Sequence, residues 1–158
     1  PGFTIGITLI RPRSVGSLHI QSRDPSRQPR MDPRYLSHEA DAQLFLDGIR
    51  LARQLSQRPA LKPLVVRETR PGPEVQDEGA LFDYIRSTVQ TAWHQVGTCK
   101  MGVDSAAVVD PQLRVRGIAG LRVIDSSIFP TIPAANTNIP SIATGEKGAD
   151  LLLDAARA

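Results

Sequence analysis

The sequence predicts an α/β chain in two parts, an antiparallel sheet with helices over residues 1–90 and a segment of short strands with one helix over 91–158. Three observations predict it. Apolar residues alternate with period two near the N-terminus, and two later stretches carry them at helical spacing. Near Trp93 the composition changes to short apolar runs broken by Gly and Pro.

Residues 3–10 (FTIGITLI) place Phe3, Ile5, Ile7 and Leu9 on one side of an extended chain, which reads as a half-buried strand. After a turn at 11–14, residues 15–22 set Leu18 and Ile20 opposite His19 and Gln21, a second strand antiparallel to the first. Residues 23–36, rich in Pro, Arg, Asp and Ser, read as a long loop ending at Tyr35 and Leu36. Ser37 is the expected N-cap of a first helix, with Glu39 and Asp41 in the turn where the helix dipole favours anions. Phe45, Ile49 and Ala52, widened by Leu44, Leu51 and Leu55, form its apolar stripe, and the helix ends before Pro59. A second loop carries Pro63, Pro71, Gly72 and Pro73, and Leu81, Ile85 and Val89 mark a second helix over about 77–90. Beyond Trp93, residues 113–115 and 121–123 predict a hairpin around 117–120. The last helix is expected from Pro140 to about residue 156, since a proline in the first turn loses no needed N–H. Gly145 and Gly148 inside it each cost about 1 kcal/mol against Ala, which predicts close packing on one side.

Composition bounds the function. The 158 residues are 41% hydrophobic and 22% charged, enough for one domain with a core, and at 4% aromatic that core is aliphatic. No run approaches the roughly 20 apolar residues that span a bilayer. Of 19 basic residues only Lys62, Lys100 and Lys147 are lysine, and the arginines are spread along the chain. The densest group, Arg23, Arg27, Arg30 and Arg34, lies in the loop among Pro, Ser and Asp, which reads as solvated surface and not as a nucleic-acid stripe. Cys99 is the single cysteine, so no internal disulfide and no thiolate metal site is expected, and a buried apolar role in a reducing, cytoplasmic compartment is. The N-terminal Pro-Gly-Phe-Thr has no signal-peptide character and reads as a start inside a longer chain.

Three histidines are the candidate proton carriers. His19 and His38 lack partners at catalytic spacing and read as surface residues. His94 follows Trp93 and precedes Gly97, Thr98 and Gly102, a pattern that suits backbone folded tightly around a ligand. On these residues alone, a structural and a catalytic role for His94 both stand.

The blocks WHQVGTCKMG, VVDPQLRVRGIAGLRVIDSSIFP and NTNIPSIATGEKGADLL, in that order, resemble the C-terminal signature of the glucose–methanol–choline oxidoreductases, nearest their choline-dehydrogenase-like branch. The resemblance is dense from Trp93 to Leu152 and looser through RPRSVGSLHIQSRDP and DPRYLSHEADAQLFLDGIRLAR. It implies that residues 1–90 belong to a substrate-binding subdomain and 91–158 to an FAD-binding domain. It also implies oxidation of a primary alcohol, choline-like or other, by hydride transfer to the flavin. His94 then stands at the position of the base, and Asn136, 42 residues later, at that of its orienting partner. The chemistry needs such a pair: the hydroxyl proton must leave as the hydride departs, and an amide can orient the oxygen without titrating. The resemblance places Asp125 and Ser126 near the pyrophosphate and ribose of FAD. It places Asn136, Thr137 and Asn138 where a helix N-terminus would face the flavin's pyrimidine edge. Ordinary turn and capping roles remain open for Asn136 and Asn138.

No G-x-G-x-x-G occurs in the chain. The expected partner is therefore an N-terminal FAD-binding half of the same protein, and these residues alone are expected neither to hold FAD tightly nor to turn over. Trp93 could form one wall of a cage for a choline-like cation. A non-catalytic interaction or scaffold domain derived from the same family stays open as the alternative.

Overall fold

Apolar side chains at helical spacing build the first half of the chain. The computed structural model describes residues 2–157, which divide into two compact units: residues 2–16 with 32–91, and 17–31 with 92–157. The fold is α/β, with three helices and a small antiparallel two-stranded sheet. No helix among the described residues is long and apolar enough to cross a membrane.

In the first unit, α1 (Glu39–Ser56) packs on α2 (Glu78–Thr88). They bury Leu46, Ile49, Leu81 and Ile85, and Ile7, Leu36, Phe45, Val75 and Tyr84 close the cluster. Asp77 caps α2 as its carboxylate accepts from Ala80 N at 3.0 Å. The loop between the helices is held to α1 by Arg53, which donates to Glu68 Oε1 at 2.9 Å and to the carbonyls of Gly72 and Val75 at 3.0 and 2.8 Å.

The start of α1 is fixed by a buried carboxylate. Asp41, in its first turn, is 1% exposed, yet every bond it needs is made. Arg13 N donates at 2.9 Å, Ser14 N at 2.8 Å and Ser14 Oγ at 2.5 Å. Burial opposes the charge, but these donors outweigh it and hold the carboxyl below its ordinary value. Ser14 Oγ also accepts from His38 N at 3.1 Å, so the strap 13–14 and the helix start form one network.

Three expectations are corrected here. The N-cap is His38 and not Ser37: His38 Nδ1 accepts from Ala40 N at 3.2 Å, while Ser37 N donates to Arg34 O at 3.2 Å across a turn with Arg34 and Leu36 at positive φ. That turn consumes Ser37 and delays the helix by one residue. Residues 3–10 are extended but unpaired in any strand, and Ile7 instead lies against Gly48 of α1. Of the alternating set only Ile7 and Leu9 are even half-buried, while Phe3 and Ile5 are exposed, and alternation does not by itself supply a neighbouring strand for the backbone. Of 15–22 only β1 (Ser17–His19) pairs, and its partner is β2 (Arg30–Asp32), inside the expected loop. The reversal is made by Asp24, whose carbonyl accepts from Arg27 N at 3.2 Å and whose carboxylate accepts from Ser26 N at 2.9 Å.

In the second unit, Val109, Leu113 and Ile128 are buried, with Met101, Val115, Val123, Ile124, Phe129 and Leu151 packed on them. The expected hairpin forms: Val115 N donates to Leu121 O at 2.9 Å and Val123 N to Leu113 O at 3.1 Å. The last helix, α3 (Asn138–Arg157), begins two residues before Pro140. Gly148 is its one buried residue, and a Cβ there would run into the Ile124 side chain, so the close packing expected of its glycines falls on Gly148. Among the described residues nothing lies within 4 Å of a Cβ built at Gly145.

Asp41 gives the fold an acid limb. Its folded carboxyl releases its proton more readily than the ordinary 3.8, so its contribution is complete above about pH 5 and is lost as pH falls below 3.8. Asp41→Asn keeps the shape but faces an amide towards N–H donors. It is expected to cost about 2–3 kcal/mol at pH 7 in urea unfolding and to flatten the loss of stability below pH 4.

Candidate active site around His94

Backbone reversals present the histidine. Trp93 has φ +62°, a left-handed conformation that is costly for a residue with a side chain, and Gly97 has φ +89°, which glycine adopts without that cost. His94 lies between them and is partly buried. Past Gly97 the chain turns at residues 98–99, and its backbone is held from there: Cys99 N donates to Ser127 O at 2.9 Å and Met101 N to Ile128 O at 2.8 Å. Those two acceptors belong to a single 3₁₀ turn, Ser126–Ile128, which Asp125 caps by accepting from Ser127 N at 2.8 Å. Asp125 thus steadies the segment that follows His94.

The imidazole is met by the start of α3. His94 Nδ1 and Thr137 Oγ1 are 3.0 Å apart, joining residues 43 positions apart in the chain. Thr137 occupies the cap position: its carbonyl accepts from Ser141 N at 2.9 Å and from Ser141 Oγ at 2.7 Å. A cap hydroxyl ordinarily accepts from the amide two or three residues on. Here the residue three on is Pro140, which has no N–H, and the hydroxyl turns to His94 instead.

The structure brings His94 and Thr137 into contact and sets Asn136 one residue before Thr137, exposed. Asn138 is the first residue of α3 and also exposed, so the cap is Thr137 and not Asn138. Asp125 is exposed with its carboxylate engaged in capping, and Ser126 is half-buried at the start of the 3₁₀ turn. Trp93 is 79% exposed. Cys99 is a free thiol and only half-buried, so the buried role expected of it is corrected: its backbone N–H is used, donating to Ser127 O from within a turn. The sequence reading missed two features. One is the His94–Thr137 contact, whose signal is a threonine three residues before a proline at a helix start. The other is Ser127, which acts through its backbone and leaves no mark in residue type.

Chemically, a neutral imidazole that donates from one nitrogen is a proton acceptor at the other. The helix start beside it carries the unpaired amides that suit an anionic group. Among the described residues no group of three His, Cys, Asp or Glu side chains could hold a metal ion.

Comparison with known proteins gives the family and the fold. The family model for GMC oxidoreductases, C-terminal part, matches residues 12–145. The oxygen-dependent choline dehydrogenase of Pseudomonas aeruginosa (strain LESB58) is 46% identical over 149 residues, 94% of this chain and 27% of that protein. The enzyme of the same name from Escherichia coli O45:K1 (strain S88 / ExPEC) is 44% identical over 151 residues, 96% of this chain and 27% of its own length. Among solved structures, a fungal aryl-alcohol oxidase superposes with a TM-score of 0.84 at 33% identity, over 95% of this chain and 25% of that one. An FAD-dependent oxidoreductase from Chaetomium thermophilum gives a TM-score of 0.89 at 27% identity, over 94% and 26%. The chain spans about a quarter of the length of the curated relatives it matches.

Removing the Asp125 cap is expected to loosen the turn behind His94. Asp125→Ala should lower stability by about 1 kcal/mol, and Asp125→Ser, which keeps an acceptor, should retain most of it, as read by thermal unfolding.

Proposed function

Because the chain belongs to the GMC oxidoreductase family, we propose that it is the C-terminal part of an FAD-dependent enzyme that oxidises a primary alcohol to an aldehyde, with His94 as the base. Residues 1–90 then contribute to a substrate-binding subdomain, and 91–158 complete an FAD-binding domain begun by an N-terminal half of the same protein. The observation that carries the reading is the 3.0 Å contact between His94 Nδ1 and Thr137 Oγ1 at the start of α3. It sets the one candidate base beside a helix N-terminus suited to negative charge.

The residues present fit the cofactor: Asn136, Asn138 and Ile139 are exposed around the helix start, and the amides there can face an electron-rich ring edge. Asn138 and Ile139 would meet the ring edge, and Asp125 and Ser126 the pyrophosphate–ribose side. FAD, when bound, supplies the acceptor for the hydride that leaves the carbinol carbon. His94 Nε2 takes the hydroxyl proton, for which Nδ1 must carry its hydrogen and donate to Thr137 Oγ1. Asn136 orients the substrate oxygen through its amide and does not titrate. The relatives named choline dehydrogenase favour a choline-like alcohol, for which the exposed Trp93 ring offers a cation-binding face.

The test uses the full-length protein and its His94→Ala variant, mixed anaerobically with primary alcohols, choline among them, while the visible flavin band is followed. An alcohol should bleach the parent, and the variant should bleach about 10²–10⁴-fold more slowly. Equal bleaching of both, or a colourless parent, contradicts the reading.

A further inference from the structure

We propose that Thr137 is a positioning residue that selects the proton-accepting tautomer of His94, an inference that rests on His94 being the base. Three observations lead to it. The Thr137 hydroxyl lies 3.0 Å from His94 Nδ1. Pro140 removes the amide three residues on, the donor that would otherwise hold a cap hydroxyl along the helix axis. The Thr137 carbonyl is pinned twice, by Ser141 N at 2.9 Å and Ser141 Oγ at 2.7 Å, and a β-branched side chain on a fixed backbone has few rotamers.

The hydroxyl is therefore held in place and not recruited by chance. Which ring nitrogen of a histidine carries the proton is set by the bond the other one makes. With Thr137 Oγ1 accepting from Nδ1–H, Nε2 keeps its lone pair and faces the substrate as acceptor. The helix start thus serves twice: its amides meet the cofactor, and its cap side chain sets the base. Thr137 touches neither the reacting carbon nor the proton in flight, so its effect should appear in the rate of the chemical step and not in substrate affinity.

The experiment takes the full-length, flavin-loaded protein with ¹⁵N-labelled histidine. Long-range ¹H–¹⁵N spectra report the tautomer, and His94→Gln assigns the signal. The parent should show His94 protonated at Nδ1. Thr137→Val, which keeps volume and branching, should shift the ring towards a tautomer mixture and lower kcat about tenfold with KM unchanged. Thr137→Ser should restore both to within about twofold, which a purely structural role of the threonine's bulk would not produce. A parent ring protonated at Nε2, or a Thr137→Val enzyme with unaltered tautomer and kcat, overturns the proposal. A tautomer that responds to Thr137 in a protein whose His94→Ala variant still bleaches at the parent rate overturns the base reading alone.

Discussion

A proline at the third position of α3 frees the hydroxyl of the threonine before the helix, and the site is organised around that hydroxyl. Thr137 keeps its carbonyl for the helix and gives its side chain to His94 Nδ1. One residue thereby ties the last helix to a histidine 43 positions earlier. Around this contact the other parts take simple roles. Trp93 and Gly97 reverse the backbone on either side of the imidazole, and Asp125 caps the turn that receives Cys99 and Met101. Gly148 lets α3 lie close on Ile124, where any larger side chain would push the helix away.

The first unit applies the same economy with a charge in place of a hydroxyl. Asp41 would be a costly burial if any of its lone pairs were left without a donor. Its partners come from a strap 27 and 28 residues away, so the bond that satisfies the carboxylate also fastens the N-terminal segment to α1. Ser14 extends the network to His38, the residue that begins the helix.

The sequence disclosed features carried by side-chain type and spacing, and concealed those carried by backbone. Leu81 and Ile85 announced α2, because helical periodicity is written in residue identity. The hairpin at 113–123 was legible from its two glycines, which adopt φ of +79° and +73°. The alternation of 3–10 was equally clear and misleading, since a strand also requires a neighbour that side chains do not specify. Ser37 lost the cap to His38 through the positive φ of Leu36, which no propensity anticipates. At the site, His94 stood out by its setting between Trp93 and Gly97, and the resemblance assigned it a role. Thr137 was legible through the resemblance as part of the helix entry facing the flavin; its contact with His94 became visible when the fold closed 43 residues of chain.

In the reading proposed here His94 receives the alcohol's proton at Nε2. The most direct measurement is a crystal structure of the full-length, flavin-loaded protein with a non-reacting analogue of its alcohol. His94 Nε2 should then lie within about 3.2 Å of the analogue's oxygen, with Nδ1 still on Thr137. An analogue oxygen held by a different titratable side chain, with His94 out of hydrogen-bond reach even through one water, would contradict it.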